Sequence, residues 1–437
     1  MSQTVREIVE RSKRASRALA KVSAESRNEV LRTIAKLLEA NVADILNVNR
    51  EDIAEASKLV NKGEMPSVTV NRLRLSEQKI SEMASSVRAV ADLPDPIGRV
   101  VERTELDTNL ILDRVTCPLG VLAVIFEARP DAVTQISALA LKSGNAAVLK
   151  AGKEVERTAS LLVETIHCGL RKCLLTEDAV NLVAGREAVD ALLGMWDLVD
   201  LVIPRGPKQL VEFVQSATRI PVLGHAEGIC HVYVDEAADP EMALAIIDDA
   251  KTDYPAACNA AETVLVNDAI AASFLPELAE RMQSRGVRLR GCEKTRAILW
   301  SHKVDAVPDG EWHKEYGDLV LAVRVVGDID DAIDHVHRFG SGHTETIVTA
   351  DQTTAERFLQ EVDAAGVYHN ASTRFADGYR YGFGAEVGVS TSKLHARGPV
   401  GLAGLTTYKY VLRGQGQIVR DYHGKNARAF RHARLPV

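Results

Sequence analysis

No apolar run in the 437-residue chain approaches the roughly 20 residues needed to cross a bilayer. No apolar core follows a basic start either, so a secretory signal is not expected. The six cysteines (Cys117, Cys168, Cys173, Cys230, Cys258 and Cys292) are scattered without CxxC spacing. That pattern fits neither a disulfide framework nor a zinc ligand set, so no metal is expected and the setting reads as a reducing cytoplasm. Basic charge is not in excess: the formal net charge of −7 argues against nucleic acid or an anionic membrane as the main partner. The GxGxxG fingerprint of ordinary dinucleotide folds is missing too, so an α/β pattern alone does not establish a nucleotide ligand.

What remains is ordinary for a globular protein, with 46% hydrophobic and 26% charged residues. The length predicts two or three domains. Residues 3 to 60 carry a helical pattern, with a break near Lys21 and a restart at Ser23. The turn-rich patch 61–66 precedes another helical segment over about 76–90, and Leu93-Pro94-Asp95-Pro96-Ile97-Gly98 marks a boundary. Residues 100–115 alternate and are β-branched, which predicts a hairpin turning at Asp107-Thr108-Asn109; it reads equally as a subunit arm or a surface hairpin.

From Gly120 the chain is α/β. Buried-type strands over 120–126, 146–149, 180–183 and 198–203 alternate with helices, the signature of a doubly wound sheet that binds ligands at the strands' C-terminal ends. Polar clusters fall at such ends: Arg129, Lys150 with Lys153, and Arg205-Gly206. They read either as solvated loop residues or as a phosphate site. Two lysines at one strand end suit a ribose 2′-phosphate better than the carboxylate that selects the unphosphorylated cofactor, which favours NADP. His225, Glu227 and His231 match no familiar metal spacing, and the two histidines are expected to be ordinary loop and core residues. A helix is predicted from Asp239-Pro240 to Ala250, another over 274–286, and strands over 232–234, 317–323 and 406–411. The basic tail 420–437 is expected to be loosely ordered.

Two stretches concentrate chemistry. In KTDYPAACNAAETVLV (251–266), Tyr254-Pro255 ends any incoming helix, and Thr263–Val266 reads as a buried strand. Cys258 therefore sits on a tight connection with no bulky neighbour, as either a nucleophile or a small buried hydrophobe. The segment 368–401 is rich in glycine, hydroxyls and arginine (Arg374, Arg380, Arg397). It is either a recognition loop for carboxylate or phosphate, or surface arginines beside structural glycines.

Eight segments together resemble one family. They are CPLGVLAVIFEARPD (117–131), LKSGNAAVLKAGKE (141–154), DLVIPRG (200–206), GHAEGICHVYVDEAAD (224–239), KTDYPAACNAAETVLV (251–266), EYGDLVLAVRVV (315–326), FGSGHTETIVT (339–349) and NASTRFADGYRYGFGAEVGVST (370–391). In that order, over about 100–415, they resemble the gamma-glutamyl phosphate reductases of the aldehyde dehydrogenase superfamily. No kinase-sized segment precedes them here, so the reductase alone is expected.

The resemblance implies an aldehyde dehydrogenase-like α/β fold. It has a doubly wound NADP-binding domain (1–99 and 116–230), an α/β catalytic domain (231–404), and a β oligomerisation arm with C-terminal segment (100–115 and 405–437). It makes Cys258 the nucleophile and puts Arg129 where related enzymes have the oxyanion-holding asparagine. It assigns Lys150, Lys153, Arg205, Gly206 and Glu315 to NADP, and Asn259, Ser372, Thr373 and Arg374 to the substrate. Ala151, in place of the family's usual glycine, and Ala403, at a commonly acidic position, are departures.

The implied reaction reduces gamma-glutamyl phosphate through a cysteine thioester, with phosphate release, as the second step of proline biosynthesis from glutamate. The alternative is another NAD(P)-dependent aldehyde dehydrogenase. A cysteine hydrolase would need a histidine beside Cys258 in space, and a non-catalytic scaffold would not need the cysteine. Expected partners are further copies of the chain, as dimer or tetramer, and a functionally coupled glutamate kinase. No histidine adjoins Cys258 in sequence, so activation of the thiol is expected from backbone dipoles or the bound cofactor.

Overall fold

Side chains that satisfy the first backbone N–H groups fix where the N-terminal helices begin. Thr4 and Glu7 form a capping box on helix Val5–Leu19, and Ser23 caps Ala24–Ala40, where the pattern predicts a restart. Helices Val42–Asn61 and Glu77–Asp92 follow, and the turn-rich patch leads into a short helix, Ser67–Leu73, that propensity does not reveal. The computed structural model describes residues 4–185, 187–225, 227–308 and 310–437. The chain divides into two compact units: Met1–Leu223 with Phe383–Val387 and Val400–Val437, and Gly224–Gly382 with Gly388–Pro399.

In the first unit, strands Val180–Val183, Ala146–Ala151, Val121–Phe126 and Leu201–Arg205 lie in that spatial order, all parallel. Val121, Ala123 and Ile125 face a core shared with Val9 of the first helix, Leu192 and Val214. The alternate residues Leu122, Val124 and Phe126 are just as buried, so both faces are covered, as the continuous apolar run predicts.

The hairpin forms as expected, Val100–Asp107 with Leu110–Pro118. Asn109 takes the left-handed turn position (φ 59°) that asparagine tolerates. Strand Thr406–Arg413 pairs along the outer side of Leu110–Pro118. The tail is not loose. Ala433–Leu435 pairs with Val100–Asp107, Arg428 and Arg431 reach Asp107 and Glu105, and the Tyr422 hydroxyl donates to Asp107. A basic composition is read as solvated unless its acidic partners, here on a hairpin three hundred residues upstream, are known.

The second unit holds, among the described residues, a seven-stranded parallel sheet. Its spatial order is Val304–Ala306, Arg288–Gly291, Val320–Val326, Ala261–Asn267, Cys230–Val234, Thr344–Val348, Gly366–His369. Val232, Val264, Leu321 and Val323 bury one face under helices Pro240–Thr252 and Asp268–Ser284. Tyr233, Leu265 and Ile347 bury the other under Ile329–Phe339 and Gln352–Glu361. Asp239 caps the first of these helices and Pro240 opens it, as the sequence predicts. The second begins at Asp268, not near Phe274, because the Asn267 side chain caps it, and Pro276 lies within it. What reads as a turn signal is a helix start.

Candidate active site

Cys258 lies on a turn between helix Pro240–Thr252 and strand Ala261–Asn267. Hydrogen bonds from Ala257 N to Tyr254 O (3.0 Å) and from Ala260 N to Ala257 O (2.9 Å) close the turn and leave the cysteine half-buried. Two separate segments, around Gly228 and around Thr373, hold it there. A Cβ on Gly228 would lie 1.9 Å from the Cys258 carbonyl oxygen, so only glycine permits this approach. From beneath, the Cys230 thiol donates to the same carbonyl (3.4 Å); complete burial pushes that thiol well up, so it stays protonated as a donor. Thr373 Oγ1 donates to the Asn259 carbonyl (2.7 Å), and Asn259 Nδ2 donates to the carbonyls of Ala376 (3.0 Å) and Arg374 (3.4 Å). The Arg374 guanidinium donates to Asn259 Oδ1 and pairs with Asp253 at 3.1 Å.

Asn259 and Arg374 are thus buried and bonded to each other. Ser372 accepts from Arg374 N. The segment at 372–374, expected as a pocket wall, is also the clamp on the cysteine turn.

A buried ion pair stands behind the turn. Lys251 Nζ meets Glu262 Oε2 at 2.9 Å, both fully buried, and Glu262 Oε1 accepts from Gly317 N at 3.2 Å. Burial pushes the Glu262 carboxyl up to about 7 despite the lysine. Two residues before Gly317, Glu315 accepts from Gly228 N; burial raises its carboxyl as well, opposed by that bond and by His225. Glu315 therefore belongs to the same constellation as Cys258.

Two histidines complete it. His225 and His343 pack edge to face with ring centroids 4.9 Å apart. One ring nitrogen of each and Cys258 Sγ lie within 4.8 Å of one another. His225 is thus not an ordinary loop residue, whereas His231, buried and hydrogen-bonded to Glu345 at 2.8 Å, is the core residue expected. The geometry has a simple origin. His225, Cys258 and His343 stand in the loops entering three adjacent parallel strands, Cys230–Val234, Ala261–Asn267 and Thr344–Val348. The Ile229 N–H donates to Ser341 Oγ (2.9 Å), tying two of those loops together.

In the first unit, Arg129, the Lys150–Lys153 segment and Arg205-Gly206 follow the C-terminal ends of three neighbouring strands. The chain order reverses between Val121–Phe126 and Leu201–Arg205, the switch point where open α/β sheets bind ligands. Glu127 N donates to Arg205 O across it (3.1 Å). Ala128, beside Arg129, holds a left-handed φ of 48° and is pinned by Glu154, which accepts its N–H at 2.7 Å. Lys150 Nζ is half-buried and donates to the Ala151 carbonyl. Four cationic residues at and just past the C-terminal ends of parallel strands fit a phosphate-bearing ligand, and Gly206 allows Leu210 to pack within 2.6 Å of where a Cβ would stand.

Comparison with known proteins decides the family. The family model described as aldehyde dehydrogenase family matches residues 1–293. The chain is 53% identical to gamma-glutamyl phosphate reductase of Cyanothece sp. over 98% of both chains. It is 49% identical to that of Haloquadratum walsbyi, over 99% of this chain and 95% of the other. The crystal structure of gamma-glutamyl phosphate reductase from Thermotoga maritima superposes with a TM-score of 0.91 at 38% identity, covering 95% of this chain and all of that one.

The chain belongs to the gamma-glutamyl phosphate reductases of the aldehyde dehydrogenase family. Its fold is aldehyde dehydrogenase-like, shared with an acetylating aldehyde dehydrogenase from Geobacillus thermoglucosidasius at a TM-score of 0.66 and only 17% identity. Family membership implies an oxidoreductase with a nicotinamide cofactor. Among the described residues, no helix is long and apolar enough to cross a membrane.

In this gamma-glutamyl phosphate reductase family member, the second unit brings together Cys258, Asn259, Glu315, Thr373 and Arg374. Arg129, Lys150, Lys153, Arg205 and Gly206 share the strand ends of the first unit. Of the departures from the family pattern, Ala151 is buried at the end of its strand and Ala403 is exposed on a short 3-10 helix. Reading the sequence missed His343, the Lys251–Glu262 pair and the role of Gly228. His343 and Gly228 lie inside family-specific segments, which was the available signal.

Proposed function

We propose that the chain reduces gamma-glutamyl phosphate to glutamate-5-semialdehyde with release of inorganic phosphate, as the second step of proline biosynthesis from glutamate, in the cytoplasm. The observation that carries this reading is Cys258, held on a clamped turn, in a chain about half identical over nearly its whole length to relatives named gamma-glutamyl phosphate reductase.

The Cys258 thiolate attacks the acyl carbon of the phosphorylated side chain, and its lone pair becomes the new C–S bond. The Cys258 backbone N–H and the Arg129 guanidinium stabilise the tetrahedral oxyanion. Collapse breaks the acyl carbon–oxygen bond, phosphate departs with that electron pair, and a gamma-glutamyl thioester remains on Cys258. Lys150, Lys153, Arg205, Gly206 and Glu315 hold NADPH, which when bound supplies the hydride that reduces the thioester carbonyl. Cys258 then leaves as thiolate and the semialdehyde is freed. Asn259, Ser372, Thr373 and Arg374 position the turn and the substrate's carboxylate end. The clamp keeps Cys258 oriented without using a side-chain base, and hydrolysis of the thioester would waste it.

The strand-end cations belong to an NADP-binding domain (1–99, 116–230), and the cysteine turn to a catalytic domain (231–404). Segments 100–115 and 405–437 serve as the oligomerisation arm of a dimer or dimer of dimers. Tyr408, Tyr410 and Leu412, more than half exposed on strand Thr406–Arg413, support that role, since such edges call for a cover. Functional coupling to a glutamate kinase, which supplies the labile substrate, follows from the same reading.

The test is NADP⁺ reduction by glutamate semialdehyde with and without inorganic phosphate. Strict phosphate dependence is expected; turnover indifferent to phosphate would favour an ordinary aldehyde dehydrogenase. The two histidines near Cys258 also favour a second reading, a cysteine hydrolase, which would cleave an activated acyl substrate with no nicotinamide present.

A further inference from the structure

We propose that His225, Cys258 and His343 form a capture site for a borderline-soft divalent cation of the zinc class, which removes the nucleophile from the reaction while bound. The three donors come from three loops entering adjacent strands at one end of the sheet and lie within 4.8 Å of one another. Thiolate and imidazole are the donors that zinc prefers.

The second observation is independent of their proximity. His343 is fully buried, and its Nδ1 is engaged by Thr344 Oγ1 (2.9 Å) and approached by the Cys230 sulfur (3.6 Å). Its Nε2 has no hydrogen-bond partner among the described residues. A buried ring nitrogen without a partner is costly unless something meets it. His225 has an arrangement usual for a metal-bound histidine, with Nδ1 2.8 Å from the Val389 carbonyl.

Zinc bonds of about 2.0 to 2.3 Å place tetrahedral ligands roughly 3.3 to 3.7 Å apart, so the set must close by about 1 Å. Rotation of the half-buried Cys258 side chain on its irregular turn can supply that. Binding releases the thiol proton to solvent and leaves a fourth position for water. The binding stands on these ligands alone. Only its inhibitory consequence rests on the proposed role of Cys258.

The experiment titrates the full-length apo-protein with Zn²⁺, and with Co²⁺ as a spectroscopic stand-in. One equivalent should bind, give a thiolate-to-cobalt charge-transfer band, shield Cys258 from iodoacetamide and stop turnover until a chelator is added. Cys258→Ser should abolish the band. His225→Ala and His343→Gln should each weaken binding by more than about tenfold, the scale that even outer-shell changes reach. Should His343→Gln fail to fold, the half-buried His225→Ala decides alone. Unchanged zinc protection in the histidine variants, or a band that survives Cys258→Ser, overturns the site. A normal band in a protein without phosphate-dependent turnover leaves the site standing and removes the reductase reading instead.

Discussion

The two parallel sheets carry their candidate functional residues at opposite ends of their strands. In the first unit the candidate residues follow the C-terminal ends of Val121–Phe126, Ala146–Ala151 and Leu201–Arg205, as open α/β sheets usually arrange ligand sites. In the second, Cys258, His225 and His343 precede the N-terminal ends of three adjacent strands. The difference is also one of support. The strand-end cations stand in the last residues of their strands or on the short segments just beyond, where Arg129 and Lys153 are exposed. The cysteine turn is braced by Cys230, Asn259, Thr373, Arg374 and the Lys251–Glu262 pair, all buried. An edge that only has to attract a phosphate can stay solvated and adjustable. One that performs covalent chemistry has to fix a sulfur to within a fraction of an ångström, which takes interlocked buried donors and acceptors.

The sharpest way to break this contrast is Cys258→Ser. If the turn exists to present the sulfur, the reductase rate should fall by a factor on the order of 10⁴ or more. The urea midpoint should barely move, by under about 0.5 kcal/mol, because the half-buried sulfur contributes little packing. A variant that kept its rate would make the turn a structural feature only.

Next in size is Lys251→Met. At pH 8 it strands the Glu262 carboxylate without its cation, and losing one partner of a buried pair costs about 3 to 5 kcal/mol. Denaturant unfolding should show that loss, and the penalty should shrink at pH 5.5, where a carboxyl pushed up to about 7 is already neutral.

The same group gives a slope in wild-type stability. Its folded value of about 7 lies above the ordinary 4.5, so between those pH values the folded chain holds a proton that the unfolded chain has released. That contribution is complete below 4.5 and is lost as pH rises through 7, a difference on the order of 3 kcal/mol at most. Glu262→Gln should flatten the fall. An unchanged slope would place the proton elsewhere.

These predictions also mark what could be read from the sequence. The parallel strands, the hairpin and the capped helix at Asp239 were legible, because a buried strand needs a continuous apolar run and a helix start needs a capping side chain. Cys258, Arg129 and the strand-end lysines stood out as reactive or charged groups at breaks in pattern. The brace did not. Lys251 and Glu262 look like ordinary charged residues on a helix end and a strand, and only the fold shows both to be buried. His343 lies 85 positions from Cys258 in sequence, and nothing local says that the strands after them will flank Cys230–Val234 in one sheet. The ordered tail failed for the same reason, since Arg428 and Arg431 find Asp107 and Glu105 only through sheet pairing.

The smallest expected effect tests the other edge. Lys150→Ala removes one cation from a solvated strand end whose neighbours Lys153 and Arg205 remain. The KM for NADPH should rise roughly tenfold, about 1.4 kcal/mol, with that for NADH nearly unchanged, since only the former carries the 2′-phosphate. Neither kcat nor the urea midpoint should change much, because among the described residues the ammonium bonds to the adjacent Ala151 carbonyl, a contact readily replaced by water. Asn259→Ala should do the reverse: it unlocks the turn, lowers kcat and leaves the NADPH KM in place. If Lys150→Ala instead lowered kcat with both cofactors alike, the strand-end cluster would be part of the chemistry, and the division between an adjustable binding edge and a rigid reacting edge would fail.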